Sequence, residues 1–111
     1  MTKHCVPCED KTGGLDEGAI TELLQNLPGW KLHEFAGVPK LVKEYTCKSF
    51  VLGIDFVRAV ADIAEEEGHH PDIEIHYNKV TFLLYTHSIN ALSENDGIIA
   101  ERIEAIASLF I

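Results

Sequence analysis

Glu65-Glu66-Glu67-Gly68-His69-His70-Pro71 sets two adjacent histidines behind three carboxylates, and a third histidine, His87, closes the apolar run that begins at Val80. Histidine is the side chain whose ordinary pKa lies closest to neutrality, so imidazoles gathered in one site can donate and accept protons at the same pH. Proton transfer is the chemistry this suggests. The three glutamates lie at the end of an expected helix, where the macrodipole is already negative; this costs a few tenths of a kcal/mol or more per residue. A local rule broken in this way often marks function. Here the glutamates and the helix end favour the imidazolium forms of His69 and His70, equipping one of them as an acid.

Three imidazoles could instead hold zinc with one position left open, but adjacent side chains diverge in extended backbone and seldom reach one ion. His4-Cys5-Val6-Pro7-Cys8 is a separate thiol pattern. It lacks both a second ligand pair and the strand-helix context of a redox motif, so Cys5 and Cys8 are read as reduced thiols on an arm, with an intersubunit zinc site still open. Cys47 reads as a small apolar residue. His76 shares a face with Glu74 and is expected to be solvated, and His4 and His33 have no constellation around them.

The elements that must position the three histidines follow from periodicity. Residues 1–14 carry no pattern and are expected to form a loosely held arm, leaving residues 15–111 as one domain. Asp16 caps a first helix with its stripe at Ile20, Leu23, Leu24 and Leu27, ended by Pro28-Gly29. Residues 30–35 and 40–46 flank Ala36-Gly37-Val38-Pro39 as a hairpin. Ser49 caps a long second helix whose buried stripe is expected at Phe50, Ile54, Val57, Ala61 and Ala64, broadened by Phe56, Val60 and Ile63; Gly68 suits the left-handed position after it. Ile73, Ile75 and Tyr77 alternate with polar residues as a half-buried strand, and residues 80–87 form its partner. That last strand puts Val80, Phe82 and Leu84 on one face and Leu83, Tyr85 and His87 on the other, with His87 beside Tyr77 if the hairpin register allows. Ser93-Glu94-Asn95-Asp96 resembles a capping box opening a third helix with its stripe at Ile99, Ile103, Ile106 and Phe110. The expected fold is α+β, in the order α-β-β-α-β-β-α, a four-stranded antiparallel sheet with three helices packed on one face.

Composition narrows the function classes. The 111 residues are 46% hydrophobic and 24% charged, long enough for one core, and contain no apolar stretch approaching the roughly 20 residues of a membrane span. A formal net charge of -9 with scattered lysines and arginines leaves no basic stripe for phosphates, so direct nucleic-acid binding is not expected. Three cysteines cannot all pair within one chain, and the first residues have no apolar signal segment, so the expected location is cytoplasmic.

Taken together, Glu65-x3-His69-His70-Pro71-x5-Tyr77-x9-His87-x8-Asp96 resembles the signature of the pterin-4a-carbinolamine dehydratase family. Similarity extends from about Leu15 to about Ala107 and includes Leu27-Pro28-Gly29-Trp30, Tyr77-Asn78-Lys79-Val80, Thr86-His87 and Leu92-Ser93-Glu94. Gly68 and Ile73 depart from the acidic residue and the tryptophan that are usual there in animal members. The resemblance implies dehydration of 4a-hydroxytetrahydropterin to quinonoid dihydropterin, without a metal or cofactor, in a tetrahydrobiopterin cycle fed by an aromatic amino acid hydroxylase. It implies His69, His70 and His87 as acid-base groups, with Glu65, Pro71, Tyr77, Thr86 and Asp96 at the substrate, in a homodimer or homotetramer. It also implies an alternative without chemistry, a protein-interaction module like the animal members that assist dimerisation of a homeodomain transcription factor.

Overall fold

In the computed structural model, which describes residues 14–111, the elements run α1 (Glu17–Gln25), β1 (Lys31–Phe35), β2 (Val38–Thr46), α2 (Phe50–Glu67), β3 (Asp72–His76), β4 (Lys79–Leu84) and α3 (Glu94–Ala107). The two hairpins join into one antiparallel sheet of order β1-β2-β4-β3, so β2 and β4 are central and α2 is the connection between the hairpins. The fold is the expected α+β arrangement. The expected arm, with Cys5 and Cys8, lies almost wholly outside the described residues. Among those residues no helix is long and apolar enough to cross a membrane.

Local chemistry sets the helix ends. Asp16 accepts from the Ala19 N–H at 2.8 Å and Ser49 Oγ from the Leu52 N–H at 3.1 Å, each satisfying a donor that the first turn leaves unpaired. Gly68 ends α2 at φ 67°, a left-handed conformation in which a Cβ would be strained. The register sets Leu41 opposite Leu84, Tyr45 opposite Val80, and Ile73 and Ile75 opposite Phe82 and Val80. Those side chains share the face that the helices cover, where Phe56, Val60, Ile99 and Ile103 are fully buried against them.

Four expectations need correction. The buried line of α2 is Gly53, Phe56, Val60, Ile63 and Ala64, whereas Phe50 and Ile54 are exposed. Apolar residues surround the first half of α2, so the pattern did not select a side; Gly53 does, because a Cβ there would touch Val80 Cγ2 at 3.4 Å and the helix packs closest on that side. Pro39 belongs to β2 rather than the loop, opposite Glu34 and two residues short of the Leu41–Leu84 pair, the first along β2 to join β4. β4 ends at Leu84, three residues before His87. Tyr77 is in the β3–β4 turn at φ 56°, 73% exposed, with its ring against Phe50.

A polar tie fastens α3 to the sheet. Glu104 Oε1 accepts from Trp30 Nε1 at 3.0 Å and also from Lys43 Nζ and the Tyr45 hydroxyl. Burial alone would raise the Glu104 pKa, but hydrogen bonds from Lys43 and Tyr45, the Lys43 charge and the Trp30 hydrogen bond outweigh it and hold it below the ordinary 4.5. Burial and the Glu104 carboxylate together push the Tyr45 phenol far above its ordinary value. A depressed carboxylate stabilises the fold above its unfolded pKa and loses that contribution as pH falls through the folded value. Glu104→Gln is therefore expected to lower the thermal midpoint near neutrality, with the gap from the parent protein closing as pH falls below 4.5 and Glu104 of the parent is protonated. Phe56→Ala is expected to cost about 3–5 kcal/mol in denaturant unfolding, as loss of a fully buried ring should.

Candidate active site

Asp96 is the anchor of the site. It is the third residue of α3 and 0% exposed, and it forms a capping box with Ser93. Its Oδ2 accepts from the Ser93 N–H at 2.9 Å and from the Thr86 hydroxyl at 2.9 Å, while Oδ1 lies 2.6 Å from His69 Nε2. Thr86 and Ser93 hydroxyls are themselves 2.7 Å apart. A buried carboxylate is tolerated only when donors surround it, and these three do so. An ionised carboxylate only accepts, so His69 Nε2 carries the proton; proton exchange with a ligand then falls to Nδ1.

His69 reaches Asp96 because α2 ends abruptly. Gly68 turns the chain, the His69 N–H still bonds the Ala64 carbonyl at 3.2 Å, and Pro71 prevents the helix from resuming before β3. His70, on the other side of this turn, places Nε2 2.5 Å from Glu65 Oε2. That pair is exposed, so it orients the imidazole more than it stabilises the fold. Glu66 and Glu67 serve a different partner. Arg102 on α3 bonds Glu66 at 3.2 Å and Glu67 at 2.6 Å, so two of the three carboxylates bind α2 to α3 rather than to a histidine. Burial pulls the Arg102 pKa down, and these two carboxylates more than offset it, leaving it above its ordinary value.

After β4, Thr86 bridges to Ala91 and the turn between them carries His87 in the open. The His87 ring stacks on Tyr85, centroids 4.2 Å apart and planes 12° from parallel. Because Asp72 pairs with Leu83, the start of β3 and the end of β4 lie at the same end of the sheet. His69, His70, Pro71, Thr86, His87 and Asp96 therefore share that end, with Glu65 above His70. Tyr77 does not join them, since its turn is at the other end of the hairpin. Among the described residues no three His, Cys, Asp or Glu side chains gather closely enough to hold a metal ion. The large groove between the helices, about 930 Å³ and floored by Leu23, Ile63 and Ile98, is lined by no histidine.

Sequence patterning could not find Arg102, because it is remote in sequence from the carboxylates it binds. The capping box was the visible trace of Asp96.

The family described as pterin 4 alpha carbinolamine dehydratase matches residues 13–106. The chain belongs to this family. Pterin-4-alpha-carbinolamine dehydratase 2, mitochondrial, of Arabidopsis thaliana is 43% identical over 107 residues, covering 95% of this chain and 57% of that protein. A Chlorobaculum tepidum protein whose name carries the same family is 38% identical over 104 residues and spans 94% of both chains. A transcriptional coactivator/pterin dehydratase from Brucella melitensis superposes with a TM-score of 0.79 at 33% identity, over 86% of this chain and 99% of that one.

Asp96→Asn is expected to lower folding stability by about 1–3 kcal/mol, because an amide sets one N–H face against donors that need an acceptor. Glu65→Gln is expected to change it by less than about 0.5 kcal/mol. Urea titration of the two variants checks both.

Proposed function

We propose that the protein dehydrates 4a-hydroxytetrahydropterin to quinonoid dihydropterin and water by histidine acid-base catalysis. Family membership and the meeting of His69, His70, Thr86, His87 and Asp96 at one end of the sheet support this reading. The observation that carries it is the His69–Asp96 pair, a buried carboxylate holding an imidazole at the end of the sheet that also carries two exposed imidazoles.

The reaction breaks the C4a–O bond and removes the N5 proton, so that C4a=N5 forms and the hydroxyl leaves as water. An acid at the hydroxyl and a base at N5 suffice, each contributing about 10²–10⁴-fold. His70 and His87 supply these two roles, each with a ring nitrogen available to solvent or substrate. His69 assists at the hydroxyl or holds the ring through Nδ1. Glu65 orients His70, Asp96 orients His69, and Thr86 and Pro71 border the substrate. No metal or redox group enters these steps.

The same reading places the protein in the cytoplasm as a homodimer or homotetramer, downstream of an aromatic amino acid hydroxylase that supplies the hydroxypterin. Tyr77 reaches substrate in this reading only across a subunit boundary, since its own turn is distant from its own histidines. The second reading, a protein-interaction module without catalysis, draws on the coactivator half of the Brucella protein's name and on the exposed Phe50, Val51, Ile54 and Tyr77.

Stopped-flow decay of 4a-hydroxytetrahydropterin separates the two. The parent protein is expected to accelerate decay with or without chelator, and His70→Ala or His87→Ala to slow turnover by about ten- to a thousand-fold. His76→Ala, on the exposed face of β3, is expected to match the parent. Turnover that disappears on chelation, or that survives loss of both His70 and His87, contradicts the mechanism.

A further inference from the structure

The face of the sheet away from the helices carries an arrangement that the acid-base reading does not use. Lys40 on β2 falls opposite Tyr85, one step beyond the Leu41–Leu84 pair. Its ammonium lies 4.7 Å from the centre of the Tyr85 ring, 5.0 Å from that of Phe35 and 3.8 Å from Asp72 Oδ2. The Lys40 side chain is only 18% exposed, unusual for a lysine on an open face. Asp72 follows His70 and Pro71, and Tyr85 carries the His87 ring on its own. Lys40 therefore contacts both chain segments that deliver histidines, on the side of the sheet opposite Asp96.

We propose that Lys40 and Tyr85 are positioning residues for His87, with Lys40 holding Tyr85 by cation–π contact and Tyr85 holding the imidazole by stacking. This rests on the dehydratase reading. His87 sits on an exposed turn, and its side-chain contact is the Tyr85 ring, so the stack is what restricts the imidazole's orientation. An acid or base must meet its proton within a few tenths of an ångström, so a ring free to swing loses turnover more than it loses substrate binding. The aromatic face, not the phenol hydroxyl, is the working part of Tyr85. Lys40 works through charge over the ring, which arginine retains and methionine does not.

Two measurements test this in the full-length protein. In proton NMR the His87 imidazole signals are expected to be displaced by the Tyr85 ring current, to keep that displacement in Tyr85→Phe and to lose it in Tyr85→Leu. In stopped-flow kinetics Tyr85→Leu is expected to lower kcat about ten- to a hundred-fold with KM changed less than about threefold, and Tyr85→Phe to stay near the parent. Lys40→Met is expected to lower kcat about three- to tenfold and Lys40→Arg to recover it. Unchanged kcat in Tyr85→Leu, an equal loss in Tyr85→Phe, or failure of Lys40→Arg to exceed Lys40→Met overturns the proposal. If Tyr85→Leu does not fold, the Lys40 pair decides. A parent protein without turnover strikes the dehydratase reading instead, and the ring-current shift then decides the stack by itself.

Discussion

A carboxylate with no exposed surface organises this molecule's functional end. Asp96 could not be buried without donors, and the three it has come from the α2–β3 turn, the β4–α3 connection and the start of α3 itself. Satisfying one side chain therefore joins three stretches of chain that are separate in sequence. The same contacts that lower the cost of burial fix His69 at the end of the sheet that also carries His70 and His87. On the proposed acid-base reading, stability and chemistry are coupled through this one hydrogen-bonded group.

Around that anchor, the topology supplies the rest. Because β3 and β4 are antiparallel neighbours, the chain enters β3 and leaves β4 at the same end, bringing His70-Pro71-Asp72 near Tyr85-Thr86-His87. The abrupt stop at Gly68 sends His69 inward to Asp96 and leaves His70 outside with Glu65. Two adjacent histidines thereby acquire different environments, one enclosed and one open to solvent. Glu66 and Glu67, which look like part of the same electrostatic device, instead secure α2 to Arg102 of α3. The acidic helix end is thus mostly an interhelical clamp, with only Glu65 turned to a histidine.

What was legible in the sequence was what local chemistry decides. Asp16, Ser49, Gly68 and the Ser93–Asp96 box act within a few residues of themselves, and each does what its type and position imply. Element order followed from periodicity for the same reason. The misread features depend on partners far along the chain. Tyr85-Thr86-His87 continues the alternating pattern of β4, yet Thr86 is drawn to Asp96 and Ala91, so the strand stops at Leu84. The buried side of α2 was set by the close approach of Gly53 to Val80, which a helix surrounded by apolar residues does not disclose. Tyr77 was separated from His87 by hairpin register, and Glu104 was recruited by three residues from the sheet side.

The central claim is that Asp96 holds the His69 proton on Nε2 and leaves Nδ1 for exchange. Long-range proton–nitrogen NMR of the imidazoles reads this most directly. The expected result is a protonated, slowly exchanging His69 Nε2 coupled to the buried carboxylate. A His69 whose Nε2 carries no proton, or one whose Nε2 proton exchanges as fast as that of exposed His76, would contradict it.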